Sequence, residues 1–343
     1  MTIPTPLKMV GAPGSPYTRK MRALLRYRRI PYQLIIRNSR EDVDLPKPKV
    51  GLIPQFILPD EANPGRVVAE VDSTPLIRRF ERAFSGRQAV PSDPALAFID
   101  YLLEDYADEW LTKAMFHYRW AYRADIDKAA AVLPLWSRVN VPDAKIAPVS
   151  KMIAERQIGR LYVVGSNETT APVIEDSYRR FLHLFDAHLQ QFPFLLGSRP
   201  GASDFATLGQ LTQLAAFDPT PAAVTVEEAP RVLAWVEVME DLSGLEPSDT
   251  DWIQRDAVPE TLRALLAEAG RVYAPALLAN ADAIASGADT VECTIAGRPW
   301  AQKPFPYQAR CLEWLREERA TLSDADRAVV DGVLAGSGLE VLF

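Results

Sequence analysis

Apolar and polar positions alternate along the first 84 residues with two different periods. Short apolar runs at Leu7–Val10, Tyr32–Ile36, Gln55–Leu58 and Val67–Val71 have the length and composition of strands, whereas Pro16–Arg29 and Ser73–Phe84 carry apolar residues at helical spacing. The pattern predicts a small α/β domain over residues 1–84. Residues 85–93 are turn and breaker residues without periodicity and read as a linker. From Pro94 onward helices dominate, with segments predicted at Pro94–Arg123, Ala147–Gly159, Pro172–Gln191, Ser203–Ala216, Pro230–Leu242, Pro259–Ser286, Pro306–Ala320 and Asp324–Ala335. Many open with Pro or with an Asp or Ser cap. Val291–Ile295 is the one strand-like stretch in that part, and no internal repeat stands out. Residues 336–343, ending in Leu339-Glu340-Val341-Leu342-Phe343, read as a linker and part of a viral protease recognition sequence, an appended tail given no functional weight.

The length of 343 residues and the 48% apolar content fit two domains with substantial cores, which excludes disorder as the main state. No apolar run reaches the roughly 20 residues of a membrane-spanning helix. The first residues lack a basic flank followed by an apolar stretch, so a cytoplasmic location and no membrane association are expected. Cys293 and Cys311 are too few and too far apart for a disulfide scaffold or a zinc site, and no metal is expected. Charge separates the two parts: residues 1–84 hold 15 Lys and Arg against 8 Asp and Glu, a balance of +7, and the rest of the chain carries −14. Six of those cations, Arg19, Lys20, Arg22, Arg26, Arg28 and Arg29, fall on one predicted helix. No nucleic-acid signature accompanies them, which leaves a solvated helix face or a small anionic ligand.

The run Val10-Gly11-Ala12-Pro13-Gly14-Ser15-Pro16-Tyr17-Thr18 resembles the strand-to-helix turn that opens soluble glutathione transferases and other thioredoxin-like proteins. Three further segments follow in the family's order. Gly51-Leu52-Ile53-Pro54-Gln55 is similar to the loop with a cis-proline before the third strand, Glu70-Val71-Asp72-Ser73 to the acidic residue and Ser pair, and Leu196 to Asp204 to the capping motif of the helical domain. Pro230 to Glu237 resembles a late helix of the same family, so the likeness spans about residues 7–244. It implies a thioredoxin-like domain (1–84), a linker (85–93) and a helical C-terminal domain (94–244), with residues 245–335 as a helical extension that such proteins commonly lack. It also implies glutathione as cosubstrate and a homodimer.

Glutathione acts as a nucleophile only as a thiolate, and a free thiol ionises near pH 8.5, so a protein that uses it must favour the anion. Ser15 directly precedes Pro16, the preferred first residue of a helix, where unpaired N–H groups and the helix dipole favour negative charge. Its hydroxyl is the candidate donor to sulfur; an ordinary N-cap is the alternative. The family's dithiol relatives carry Cys where this chain has Ser15 and Thr18, so protein disulfide chemistry at the turn is not expected. The resemblance implies that Ile53, before a cis Pro54, pairs its backbone with the peptide, that Ser73 and Asp72 hold the γ-glutamyl carboxylate and ammonium, and that Lys49 offers a cation to the glycyl carboxylate. Many members have Glu or Gln where this chain has Asp72, and most have Ser or Thr where it has the helix-capping Gly201.

Tyr106, Trp110, Lys113, His117 and Trp120 recur at intervals of three or four on the long helix. Such a stripe suits either core or the wall of a site for a hydrophobic electrophile. Tyr17, Tyr106, Trp110 and His117 are the candidate acceptor-binding residues, with Tyr17 also an alternative donor. The extension, with its aromatic and proline-rich Gly297 to Gln308, suits packing over a groove. The function expected is a glutathione-dependent transferase or lyase acting on a hydrophobic electrophilic small molecule. A noncatalytic binding or scaffold protein of the same fold and a glutathione-dependent isomerase or peroxidase are the alternatives.

Overall fold

The computed structural model describes residues 3–343. Strands β1 (Leu7–Gly11), β2 (Tyr32–Ile36), β3 (Gln55–Pro59) and β4 (Val67–Glu70) form one mixed sheet in the order β2-β1-β3-β4. β1 and β2 run parallel because helix α1 (Pro16–Tyr27) carries the chain back between them, whereas β3 and β4 need only a short turn and pair antiparallel. Helix α2 (Ser73–Ala83) completes the domain. Met9 and Phe56 from the sheet, Leu24 and Leu25 from α1, and Ile77 and Phe80 from α2 are buried together, with Phe56 edge-on to Phe80 at 5.1 Å. This is the predicted thioredoxin-like domain.

A larger helical domain follows. α3 (Pro94–Tyr106) and α4 (Thr112–Ala121) form the predicted long helix, but it widens into a π turn at Ala107–Leu111. α5 (Arg123–Ser137), α6 (Asp143–Ile158), α7 (Ala171–Leu189), α8 (Ala202–Leu211), α9 (Pro219–Glu228) and α10 (Pro230–Met239) follow. α5 and α9 were not expected: α5 contains Pro134 and α9 opens Pro-Thr-Pro, so the breakers obscure helices that packing sustains. Gly201 at the mouth of α8 has a specific cause. Asp100 of α3 caps the helix from outside, accepting the Ser203 N–H at 3.0 Å and the Ala202 N–H at 3.2 Å, and a Cβ at 201 would overlap that carboxylate. Asp204 accepts the Gly201 N–H at 2.8 Å and the Leu195 N–H at 2.9 Å.

The extension contains α11 (Glu260–Ser286), a hairpin of β5 (Val291–Ile295) and β6 (Arg298–Gln302), α12 (Pro306–Thr321) and α13 (Asp324–Leu334). β6 was not expected. Ala296 and Gly297 both sit at positive φ, the geometry of a tight two-residue hairpin turn, so the aromatic and proline-rich segment supplies a strand and the start of α12. The segment read as an appended tail is packed on the helical domain. Leu339 and Leu342 are buried on a final helical turn, Phe343 meets Phe98 at 5.5 Å, and Arg316 Nε donates to the Leu342 carbonyl at 2.7 Å. Its three apolar side chains make residues 336–343 part of the helical layer.

The basic residues of α1 are not a solvated face either. Arg19, Arg22 and Arg26 converge on Glu240 at 3.0, 2.7 and 3.4 Å, Arg28 pairs with Glu81 at 2.8 Å, and Arg29 pairs with Glu246. Most of that positive charge fastens the first domain to the acidic remainder. α1 also lies against α8 at Gly209, where a Cβ would press on the Pro16 carbonyl. No helix among the described residues is long and apolar enough to cross a membrane.

Candidate glutathione site

The predicted donor lies at the N-terminus of α1. Ser15 is in extended conformation and its Oγ accepts the Thr18 N–H at 3.2 Å, which makes it the helix N-cap. A capping hydroxyl uses a lone pair of its oxygen, so its hydrogen remains available for donation. Cap and donor are thus compatible in the same group. The turn before it is held rigidly. Arg119 of α4 donates to the Gly14 carbonyl at 2.9 Å while its guanidinium is locked on buried Asp218 at 2.8 to 3.0 Å and on Gln213 at 2.7 Å. α5 lies across the same turn, since a Cβ on Gly14 would come within 2.5 Å of Leu133 and Trp136. Trp136 in turn packs on Phe217 with ring centres 5.1 Å apart.

Ile53-Pro54 is cis, as the resemblance implied, and Pro54 is buried at the start of β3. Neither the N–H nor the C=O of Ile53 bonds to another backbone group among the described residues, so both remain available to a peptide laid along this edge. Lys49 is exposed, and no protein group among the described residues accepts a hydrogen bond from it.

Asp72 and Ser73 form the entrance to α2. Asp72 sits at φ 82°, in the left-handed region that side chains seldom adopt, and burial raises its carboxyl above the ordinary range. Ser73 is buried, and its Oγ accepts from Lys20 Nζ at 3.1 Å. Lys20 was not singled out as a site residue. It is fully buried on α1 and also donates to Glu104 Oε1 at 2.7 Å and Asp108 Oδ2 at 2.5 Å. Burial alone would lower its pKa, but the two carboxylates outweigh that and hold the ammonium charged. Glu104 also pairs with Arg78 and accepts from Thr74 Oγ1 at 2.9 Å. A polar network therefore runs from α1 through α2 into the helical domain, directly behind the Asp72-Ser73 pair.

The acceptor candidates are placed differently. Tyr17 donates to the Asp108 carbonyl at 2.8 Å. Tyr106 is buried against Phe181 and Tyr273. Trp110 is buried, donates to Ser177 Oγ at 3.1 Å and packs on Trp300 of β6 at 5.5 Å. His117 is buried between Ser166 Oγ at 2.8 Å and Glu175 Oε1 at 3.0 Å, and burial lowers its pKa. Tyr106, Trp110 and His117 thus sit in packed surroundings, and the structure does not bring them to Ser15. A cavity of about 270 Å³ lined by Tyr162, Ser166, Asn167, Gln302 and Lys303 shares no residue with Ser15, Ile53-Pro54 or Asp72-Ser73. That cavity therefore lies apart from the candidate glutathione site.

The order of elements and the site at the α1 turn define a two-domain protein, thioredoxin-like and then helical. Residues 9–88 match the family described as glutathione S-transferase, N-terminal domain, and residues 155–237 match glutathione S-transferase, C-terminal domain. Both domains of the glutathione S-transferase family are thus matched, in the family's order, with a helical extension beyond the second match. No curated protein matches the chain. Among solved structures, a Tau class glutathione S-transferase from mango is similar at 20% identity and TM-score 0.40, covering 76% of this chain and 95% of its own. A glutathione transferase family member from Pseudomonas fluorescens, solved with two glutathione bound, is similar at 13% identity and TM-score 0.41, covering 76% and 92%. The family assignment rests on the domain matches rather than on these distant likenesses.

Proposed function

We propose that the protein is a glutathione-dependent transferase in which the Ser15 hydroxyl, at the N-terminus of α1, donates to the glutathione sulfur and holds it as a thiolate. The observation that carries this reading is the Ser15 geometry: the oxygen caps Thr18 at 3.2 Å, leaving the O–H to donate where the helix dipole already favours an anion. Among the described residues, the N–H and C=O of Ile53 have no backbone partner and are free for the peptide. Asp72 and Ser73 stand at a second helix N-terminus for the γ-glutamyl end, and exposed Lys49 is the proposed cation for the glycyl carboxylate. Thiolate formation and positioning then lower the barrier for attack on a hydrophobic electrophile by conjugation, displacement or ether cleavage. We place that acceptor beside the Ser15 turn, under α5, where Leu133 and Trp136 offer apolar surface, rather than among Tyr106, Trp110 and His117 in the core.

The test is titration of the thiol of bound glutathione by ultraviolet absorbance, in parallel with calorimetry. The wild type is expected to ionise the bound thiol well below pH 8.5, and Ser15→Ala to lose most turnover with modest loss of binding. Unchanged turnover in that variant would remove Ser15 from the chemistry. A noncatalytic binding protein of the same fold is the second reading, favoured by the close packing of α5 on the Gly14 turn; binding without a shifted thiol titration would select it. A homodimer is also proposed, and sedimentation should then report about twice the 38.1 kDa chain mass.

A further inference from the structure

Tyr307, at the start of α12, stands 235 positions from Asp72 in the chain, and its phenol donates to Asp72 Oδ2 at 3.0 Å. This contact ties the extension to the candidate γ-glutamyl subsite. It is not a loose encounter, because the chain is anchored on both sides of Tyr307, by the Phe305 backbone and by the Gln308 side chain. The Phe305 N–H donates to Asn280 Oδ1 at 2.7 Å and the Phe305 carbonyl accepts from Asn280 Nδ2 at 2.9 Å. On the other side, Gln308 Nε2 donates to the Glu109 carbonyl at 3.2 Å and to Glu109 Oε2 at 3.0 Å. The ring itself is braced edge-on by Trp314 at 6.0 Å. Asp72 is fixed too, by its backbone at φ 82° and by the buried network behind Ser73.

We propose that Tyr307 is a positioning residue supplied by the extension to the γ-glutamyl subsite: it holds one carboxylate oxygen of Asp72 and keeps that carboxylate ionised to receive the α-ammonium group of the ligand. The inference rests on the glutathione reading above and adds the residue that prepares Asp72. A hydroxyl donated to a carboxylate favours the charged form. The need for it follows from the surroundings. Burial raises the Asp72 carboxyl, and the Tyr307 phenol is foremost among the groups that oppose the rise. Lys20 of α1 and the Thr74 N–H of α2 help, whereas Glu104 of α3 and Asp108 of the π turn oppose ionisation. Tyr307 in turn faces Cys311 of α12 and Glu109, which together with Asp72 and burial keep its phenol protonated and able to donate. A neutral Asp72 would offer an ammonium group no counter-charge.

The test is the pH dependence of glutathione binding by calorimetry between about pH 5 and 8, on the full chain, for wild type and Tyr307→Phe. It is joined by the titration of the Asp72 carboxyl carbon in both proteins without ligand, followed by NMR and assigned with Asp72→Asn. Loss of the phenol should move the acid limb of binding up by about one pH unit, so that affinity falls about tenfold on the acid side and little on the alkaline side. The carboxyl titration should move the same way, and in the Asp72→Asn background Tyr307→Phe should have no effect. Superimposable pH profiles would overturn the proposal, as would tighter binding in Tyr307→Phe at every pH, which would make the phenol a plug. Failure of wild type and variant alike to bind glutathione at any pH would instead overturn the glutathione reading, and this proposal with it.

Discussion

The two ends of the candidate site are built in opposite ways. At the sulfur end, Ser15, Pro16 and Thr18 are neighbours in sequence, and the helix N-terminus they form follows from local rules. At the γ-glutamyl end, Asp72 and Ser73 are held by Lys20, Glu104, Asp108 and Tyr307, contributed by α1, α3, the π turn and α12. The first takes its cap from local residues, and the helical domain only braces the turn before it, through Arg119 of α4 and the side chains of α5. The second exists only once both domains and the extension are folded together. Substitutions at the two ends should therefore differ in what they damage: reactivity with little loss of fold at Ser15, and the fold itself at Lys20.

The largest effect is expected from Lys20→Met. The substitution removes a fully buried cation, leaving Glu104 with Arg78 alone and Asp108 without a paired cation in the interior. Breaking a buried ion network from one side costs about 3–5 kcal/mol, which denaturant unfolding would read directly. A loss under about 1 kcal/mol would mean that the network is hydrated and that the contrast between the two ends is smaller than the structure implies.

A pH experiment probes the same end next. Burial first, and then the neighbouring charge of Asp105, pushes the Glu109 carboxyl up to about 8, while in the unfolded chain it ionises near 4.3. Between those values the folded state holds a proton that the unfolded state has lost. Glu109 thus lowers stability as pH climbs from about 4.3 towards about 8, and its full contribution is present only below that window. Asp105, raised to about 7 chiefly by burial, adds a slope of the same sign. Glu109→Gln keeps an oxygen for Gln308 and removes one titration, so the variant should gain steadily on the wild type as pH rises through that window. Parallel stability curves would show that the buried acids titrate normally.

Gly14→Ala moves the question to the sulfur end. The added methyl meets Leu133 and Trp136, both side-chain ends on α5, so about 1–3 kcal/mol of overpacking is expected. Glutathione binding by calorimetry should change as well if α5 covers the site. A neutral substitution would show that α5 yields easily.

Much of this contrast was legible beforehand, and the illegible part has a common cause. The strands, α1, α2 and the Ser15 and Asp72-Ser73 positions follow from period, caps and motif, all local signals. Lys20 stands among the six α1 cations that the sequence leaves open between a solvated face and a small anionic ligand. Its place in the apolar stripe with Pro16 and Leu24, four residues to either side, was the available signal for burial. Tyr307 carried no such signal, because nothing in Pro304-Phe305-Pro306-Tyr307 reports a partner 235 positions away. The aromatic stripe of Tyr106, Trp110 and His117 has the same spacing whether it faces a cavity or a second layer of helices, and only β6, with Trp300 on Trp110, distinguishes them. The final residues, read as an appended sequence, show that a short apolar run packs wherever the fold leaves room for it.

The smallest effect on stability, and the sharpest test, comes from Ser15. Alanine removes the cap on Thr18 at a cost of about 1 kcal/mol, and any loss of thiol ionisation then comes mixed with fraying of the first turn of α1. Ser15→Asp separates the two. A carboxylate is as good an N-cap as a hydroxyl and interacts well with the helix dipole, so thermal unfolding should return to within a few tenths of a kcal/mol of the wild type. Near neutrality, however, it has no hydrogen to give and places a negative charge beside the sulfur, so the bound thiol should ionise at higher pH than in Ser15→Ala. A folded, well-capped Ser15→Asp protein that still ionised glutathione like the wild type would assign the thiolate to the helix N-terminus alone and leave the Ser15 hydroxyl with nothing but its cap.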